Sequence, residues 1–284
     1  MLINYPIYKK ISVRDYLESF YLSKSKIYTL FLENNILLNN HKVKENDIMN
    51  EGDTLSINIE EQLDYVCALH GNIDIIYEDD YLLVINKKPN ILIHDEKNKD
   101  NSLCNLVSKY YYENGISLNI RFAHRLDIET SGLIIFCKDI LTHAYFNHYI
   151  STHDIKREYI CLVSNKFKNK KGTIDFKIGR DRHENKMRIS STGKEARTFY
   201  EVIKEYKDYT SVRVFLETGR THQIRVHMNK INHPLLGDEL YDGDMTFINR
   251  VALHSNSVTF IHPVYNEKMT LTASMPKDMK DLMK

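Results

Sequence analysis

Apolar residues recur at helical spacing twice near the start of the chain, at Val13, Tyr16, Leu17 and Phe20 and again at Ile27, Leu30 and Phe31. The spacing predicts helices over 13–20 and 24–32, with Ser12 and Ser23 standing where N-caps belong. A strand at 36–38, an Asn39-Asn40 turn and a strand at 54–59 entered through Gly52-Asp53 complete a small α+β unit. Asn tolerates the left-handed backbone that such a turn needs. Residues 60–72 carry little pattern and read as a connector. A larger unit begins near Ile73, where 75–87 reads as strand, Glu78-Asp79-Asp80 turn, strand. Strands are also predicted at 157–164, 173–178, 196–206, 211–217 and 222–227, a helix at 141–150, and a terminal helix or frayed tail from Met275. Strands dominate without a βαβ rhythm. The expected class is therefore α+β, built on a mixed, mostly antiparallel sheet. The expected division is 1–60, a linker at 61–72 and a main domain at 73–284.

The 284 residues are 42% hydrophobic, ordinary for a globular protein. No apolar run approaches the roughly 20 residues needed to span a bilayer, and no secretory h-region stands at the N-terminus. Cys67, Cys104, Cys137 and Cys161 are scattered without a CxxC pair, and three lie among apolar neighbours. Free thiols in a reducing cytoplasm are the expectation. The net charge of +1 hides an asymmetry: residues 156–197 hold 13 Lys+Arg against 5 Asp+Glu, a local +8, so the rest sums to −7. Such a block suits a polyanion, although 166–171 alone reads rather as a solvated lysine-rich loop. Nothing heptad-like suggests a dimer, and a monomer is expected.

Three strings carry candidate chemistry. His124-Arg125-Leu126-Asp127-Ile128-Glu129-Thr130-Ser131-Gly132 is a polar turn between short apolar segments at 120–123 and 133–137. Rigid elements at both ends are a good way to hold a reacting carboxylate. Gly219-Arg220-Thr221-His222-Gln223-Ile224-Arg225-Val226-His227 is the second. On a strand its Gln223 and Arg225 would face one way, into a pocket, while Ile224 and Val226 pack the core. Lys156-Arg157-Glu158-Tyr159-Ile160-Cys161-Leu162-Val163 is the third. Taken alone, Asp127 reads as a turn former and Tyr159, one of 19 tyrosines, as core. His222 and His227 would point to opposite faces of a strand, and His143, His148 and His153 repeat at five, which no helix face aligns. No metal and no cofactor are expected. Ser131 lies in no GxSxG elbow, which argues against a serine hydrolase.

Together the strings resemble the RluA-type pseudouridine synthases, RluD-like branch. The segments Asn86–His94, Ile178–Thr198, His233–Asp238 and Leu253-His254 resemble the family too. Departures are Lys88, Pro89 and Asn90, where the family has a proline one place earlier and a glycine. The N-terminal unit resembles an S4-like RNA-binding domain, with Lys24 and Lys26 at its basic helix positions and with Ser23-Lys24, Asn35 and Asn40 departing from its usual residues. The resemblance implies an isomerase acting on structured RNA, ribosomal RNA ahead of transfer RNA. It implies Asp127 as the essential carboxylate, acting as nucleophile at C1′, base at C2′ or stabiliser of positive charge, with Arg225 as its partner. Tyr159 would stack on uracil and handle a proton. Arg125 would fill the space left by a flipped-out uridine or meet phosphates. His124 and Thr130 would brace the turn by hydrogen bonds, and Arg220 and Ile224 stand with them on the substrate side. Two other readings stay open: a non-catalytic RNA binder, and hydrolysis of the glycosidic bond, which lacks a second carboxylate to activate water.

Overall fold

The computed structural model describes residues 1–33, 35–59, 66–95 and 102–284; residues 61–65 of the expected linker lie outside the described residues. The first unit runs β1 (Leu2–Pro6), β2 (Ile11–Ser12), α1 (Val13–Ser19), α2 (Lys24–Leu32), β3 (Ile36–Leu38), β4 (His41–Lys42), β5 (Ile48–Met49) and β6 (Thr54–Asn58). Both serine caps form: Ser12 Oγ accepts from Asp15 N at 3.1 Å and Ser23 Oγ from Lys26 N at 3.4 Å. Each fills one of the donors a helix start leaves open. Asn39 and Asn40 take φ of 49° and 66°. The antiparallel sheet is ordered β1-β6-β3-β4.

The second unit runs β7 (Ile75–Glu78), β8 (Leu82–Lys87), α3 (Leu103–Glu113), β9 (Arg121–Phe122), β10 (Ser131–Cys137), α4 (Ile140–Ser151), β11 (Lys156–Ser164), β12 (Lys171–Asp175), β13 (Ile178–Arg180), β14 (Met187–Ile189), β15 (Arg197–Glu205), β16 (Tyr209–Leu216), α5 (Gln223–Lys230), β17 (Leu253–Ile261), β18 (Lys268–Thr272) and α6 (Lys277–Leu282). Among the described residues ten of these strands form one sheet ordered β12-β15-β16-β11-β17-β10-β8-β7, with β18 beside β17 and β9 beside β10, and β13 pairs with β14 in a separate two-stranded sheet. The pairings of the large sheet are antiparallel except β10 with β17. The mixed, mostly antiparallel α+β class is as expected. Helix α3, capped by Ser102 and Asn105, has no counterpart in the sequence reading.

The segment 222–227 corrects one expectation: it is the helix α5, not a strand. Its residues Gln223 to Met228 are all buried, so no polar stripe betrays the helical period, and the alternation Gln-Ile-Arg-Val-His imitates a strand. The buried polar side chains find partners instead. Gln223 Oε1 accepts from Thr218 Oγ1 at 2.7 Å and Arg220 N at 3.0 Å, and its Nε2 donates to Thr198 Oγ1 at 3.0 Å. His227 Nε2 lies 2.9 Å from the Phe176 carbonyl, which fixes that nitrogen as the donor and leaves Nδ1 to accept from Thr198 Oγ1 at 2.9 Å.

One apolar core joins the two units. Ile3, Tyr5, Leu17 and Ile57 of the first pack in the same cluster as Tyr81, Leu83, Ile134 and Phe146 of the second. The Tyr5 and Tyr81 rings sit 5.3 Å apart, and the Tyr81 hydroxyl donates to the Asn4 carbonyl at 2.5 Å. A second cluster, holding Tyr159, Val163, Val214, Ile224, Met228 and Leu253, lies under α5. Much of the basic block is neutralised locally, for example Lys170 by Glu205 at 2.6 Å, Lys171 by Glu201 at 2.7 Å and Arg197 by Asp175 at 2.8 Å. Among the described residues no helix is long and apolar enough to cross a membrane.

Candidate active site

The turn 124–130 connects β9 to β10, as its apolar flanks suggest. Leu126 packs against both apolar clusters, so the residue before Asp127 is held from two sides. The far end of the turn is fixed by contact with β17. Gly132 has φ +109°, and a Cβ there would stand 2.2 Å from the Ser255 carbonyl oxygen. Only glycine permits that approach. Ser255 is also the register partner of Tyr159 on the other side of β17. One level of the sheet thus carries the end of the Asp127 turn and the ring of Tyr159. The β11–β17 register shifts between Glu158 and Tyr159, an irregularity of the kind that re-aims a side chain beside a site.

Three further contacts brace the turn, and none involves His124 or the Thr130 hydroxyl. Thr130 N donates to the Asp127 carbonyl at 3.1 Å. Lys87 Nζ donates to the carbonyls of Lys88 at 3.0 Å, Ile91 at 2.9 Å and Ile128 at 2.9 Å, tying the 88–91 loop to the turn. In that loop Asn90 has φ +62°, the conformation a glycine would take. Burial pushes Lys87 down to about 7, against the pull of Asp127. Three carbonyl partners nevertheless require all three ammonium protons, so the geometry is that of the charged form. Arg250 donates to the Glu129 carbonyl at 3.3 Å and is clamped by Asp278 of α6 at 2.7 and 2.8 Å. The expected bracing role of the His124 and Thr130 side chains is therefore corrected: both ring nitrogens of His124 and the Thr130 hydroxyl are buried without a hydrogen-bond partner.

Asp127 sits in the wall of an open cleft of about 720 Å³ lined also by His124, Arg125, Thr130, Arg157, Tyr159, Arg220, His222, Ile224 and Arg225. That volume suits a nucleotide-sized ligand. Arg225 Nη1 lies 3.5 Å from Asp127 Oδ2. Its tighter bond is to Asp238, Nε to Oδ2 at 2.8 Å and Nη2 to Oδ1 at 2.7 Å. Burial works against the Arg225 charge, and the Asp238 bonds together with both carboxylates more than offset it, so its pKa is raised. Asp238 was legible only as the end of the family-like segment His233–Asp238, with no role assigned, and Tyr241, whose ring lies 5.0 Å under the guanidinium, was not picked out from sequence. A lone Asp after Pro-Leu-Leu-Gly was the available signal.

His222 also escaped selection. It takes a left-handed φ of 54° at the start of α5, and its Nε2 is 3.9 Å from Asp127 Oδ2 while Nδ1 meets the Tyr241 hydroxyl at 2.9 Å. Burial lowers its pKa, with Asp127 opposing, so the ring stays neutral near pH 7. Tyr159 is pushed up by burial and by Asp127, with Arg157 opposing, so its phenol stays protonated. Lys24 and Lys26 lie exposed on α2 and do not line this cleft. Among the described residues no three His, Cys, Asp or Glu side chains converge as metal ligands.

The model of the RNA pseudouridylate synthase family matches residues 81–230. An uncharacterised RNA pseudouridine synthase of Bacillus subtilis, YhcT, is 40% identical over 265 residues, 92% of this chain and 88% of that protein. The ribosomal large subunit pseudouridine synthase D of Yersinia pestis is 33% identical over 282 residues, 92% of this chain and 86% of that one. The solved structure of human RNA pseudouridylate synthase domain containing 1 superposes with a TM-score of 0.61 at 25% identity, covering 72% of this chain and 84% of that chain. The chain belongs to the RNA pseudouridine synthase family and is an isomerase converting uridine to pseudouridine in RNA.

Proposed function

We propose that the chain isomerises specific uridines of structured ribosomal RNA, with Asp127 acting on a uridine flipped out of its stack. The observation that carries the reading is the Asp127 carboxylate in the cleft wall, 3.5 Å from an Arg225 that Asp238 holds in place. The reaction breaks C1′–N1, turns the uracil and joins C5 to C1′; C5 gives up its proton and N1 gains one, so the product is an isomer of the substrate. An ionised carboxylate beside a fixed guanidinium supports attack at C1′, proton removal at C2′ or stabilisation of a cationic sugar. Tyr159, in the cleft wall, supports ring contact with uracil and, through its hydroxyl, the movement of a proton once C5 is attached. Arg125, exposed next to Asp127, is positioned to meet backbone phosphates or occupy the vacated stack. The first unit, with Lys24 and Lys26 exposed on α2, serves as a further RNA contact. Ribosomal RNA is favoured because relatives along nearly the whole chain are named as large ribosomal subunit synthases.

Pseudouridine mapping of total RNA from cells lacking the protein tests the substrate. Loss of one or a few sites in large-subunit RNA, restored by the wild-type gene, is the expected result. Loss confined to transfer RNA would overturn the ribosomal assignment, and no lost site would overturn the reading as a whole.

A further inference from the structure

Arg157 is a buried charged side chain in the cleft wall, and among the described residues no carboxylate pairs with it. It is 7% exposed, its Nε has no hydrogen-bond partner, and none of the ion pairs of the described residues includes it. Its neighbour Glu158 faces elsewhere, with Asn256 at 2.9 Å and Arg213 at 3.4 Å. Burying a guanidinium without a carboxylate is costly, and folds avoid it unless a ligand supplies the anion. Two neighbouring features are also open. His124, 8% exposed, has both ring nitrogens without a partner. Gly219 lies over the fork: a Cβ there would stand 3.1 Å from Arg157 Nη1 and 3.2 Å from Nη2, so the missing side chain keeps the guanidinium uncrowded. Burial and the Arg157 charge push His124 down to about 3, so its ring is a neutral donor and acceptor at pH 7.

We infer that Arg157, with His124 beside it and Gly219 above it, is a binding site for a phosphodiester flanking the flipped-out uridine. Arg157 precedes Tyr159 by two residues of β11, roughly 7 Å of strand, a separation on the scale of a nucleoside's base and its phosphate. A guanidinium matches two phosphate oxygens with parallel donors. The phosphate would neutralise the buried charge, and His124 would donate its single N–H to a third oxygen. Arg157 is thus a positioning residue: it fixes the sugar relative to Asp127 through the backbone.

The inference rests on the isomerase reading but is tested without turnover. Binding of uridine and of uridine 3′,5′-bisphosphate to the full chain is measured by calorimetry, for wild type, Arg157→Gln and Arg157→Lys. The wild type should prefer the bisphosphate by about 10- to 100-fold, the value of a charge-assisted hydrogen-bond pair. Arg157→Gln should remove most of that preference and Arg157→Lys should keep part of it. A structural arginine would instead be needed for stability, so the ligand-free melting temperature of Arg157→Gln should be unchanged or higher. An undiminished preference in Arg157→Gln, no preference in the wild type, or a fall of several degrees in melting temperature with preference retained would overturn the phosphate site. Conversion of uridine in RNA by the wild type is scored separately, so the phosphate site can fail while the isomerase reading stands.

Discussion

At the scale of single residues, the arrangement divides labour between two aspartates that share one arginine. Asp238 is fully buried and takes Arg225 through two short bonds, whereas Asp127 is partly exposed and 3.5 Å away. Asp238→Asn should therefore cost about 3 kcal/mol of unfolding free energy, since it breaks a buried pair. Asp127→Asn should cost under about 1 kcal/mol, as expected of a partly exposed, longer contact. Urea unfolding of the two variants checks the contrast. The buried histidines make a pH prediction. His124 is pushed down to about 3 and His254 to about 4, both chiefly by burial. Between the unfolded value near 6.5 and those folded values, the unfolded chain holds protons that the folded chain does not. Stability should thus fall as pH drops below about 6.5. His124→Gln should flatten that fall by up to about 1.4 kcal/mol per pH unit, read from urea midpoints between about pH 6 and 4. An unchanged slope would show that the ring is protonated in the fold.

At the scale of elements, the site is assembled by contacts between segments distant in sequence, and that is where sequence reading succeeded and failed. The strand–turn–strand around Asp127 was legible because its apolar flanks and polar middle are local. The serine caps of α1 and α2 and the Asn39-Asn40 turn were legible for the same reason. Helix α5 was not, because a helix buried all round has no polar face, and its alternating polar residues are satisfied by Thr198, Thr218 and Asp238 on other elements. The bracing of the turn by Lys87 and Arg250 was equally hidden, since both act through backbone carbonyls that any residue could supply. Gly132 closes the string for a reason visible only in the sheet, the approach of Ser255 from β17. Gly132→Ala should destabilise the fold by about 3 kcal/mol or more, combining a disfavoured φ with a backbone clash. Thermal and urea unfolding measure it; a loss below about 1 kcal/mol would mean that β10 and β17 can part at no cost.

At the scale of the molecule, the two units share a core rather than meeting through polar surface. The sequence suggested a break near residues 60–72 because pattern fades there, but sequence pattern does not report which apolar faces meet. Tyr5, Phe20 and Leu17 pack in one cluster with Tyr81, which precedes β8, and with Phe146 of α4. Deleting residues 1–60 should accordingly lower the melting temperature of the remainder by several degrees or more, because a buried apolar face is exposed. An unchanged melting temperature would instead establish the first unit as an independent module. The contribution of this unit to RNA binding is better tested by Lys24→Ala with Lys26→Ala, which leaves the core intact. That pair should reduce the slope of log affinity against log salt by about 0.7 for each phosphate no longer neutralised.

The central claim is that Asp127, held beside Arg225, carries the isomerisation. Carbodiimide mapping of a substrate RNA incubated with Asp127→Asn tests it most directly, with RNA binding measured on the same protein. The predicted result is no pseudouridine above background while affinity stays within about threefold of wild type, a difference under about 1 kcal/mol. Pseudouridine formed at the wild-type rate would contradict it.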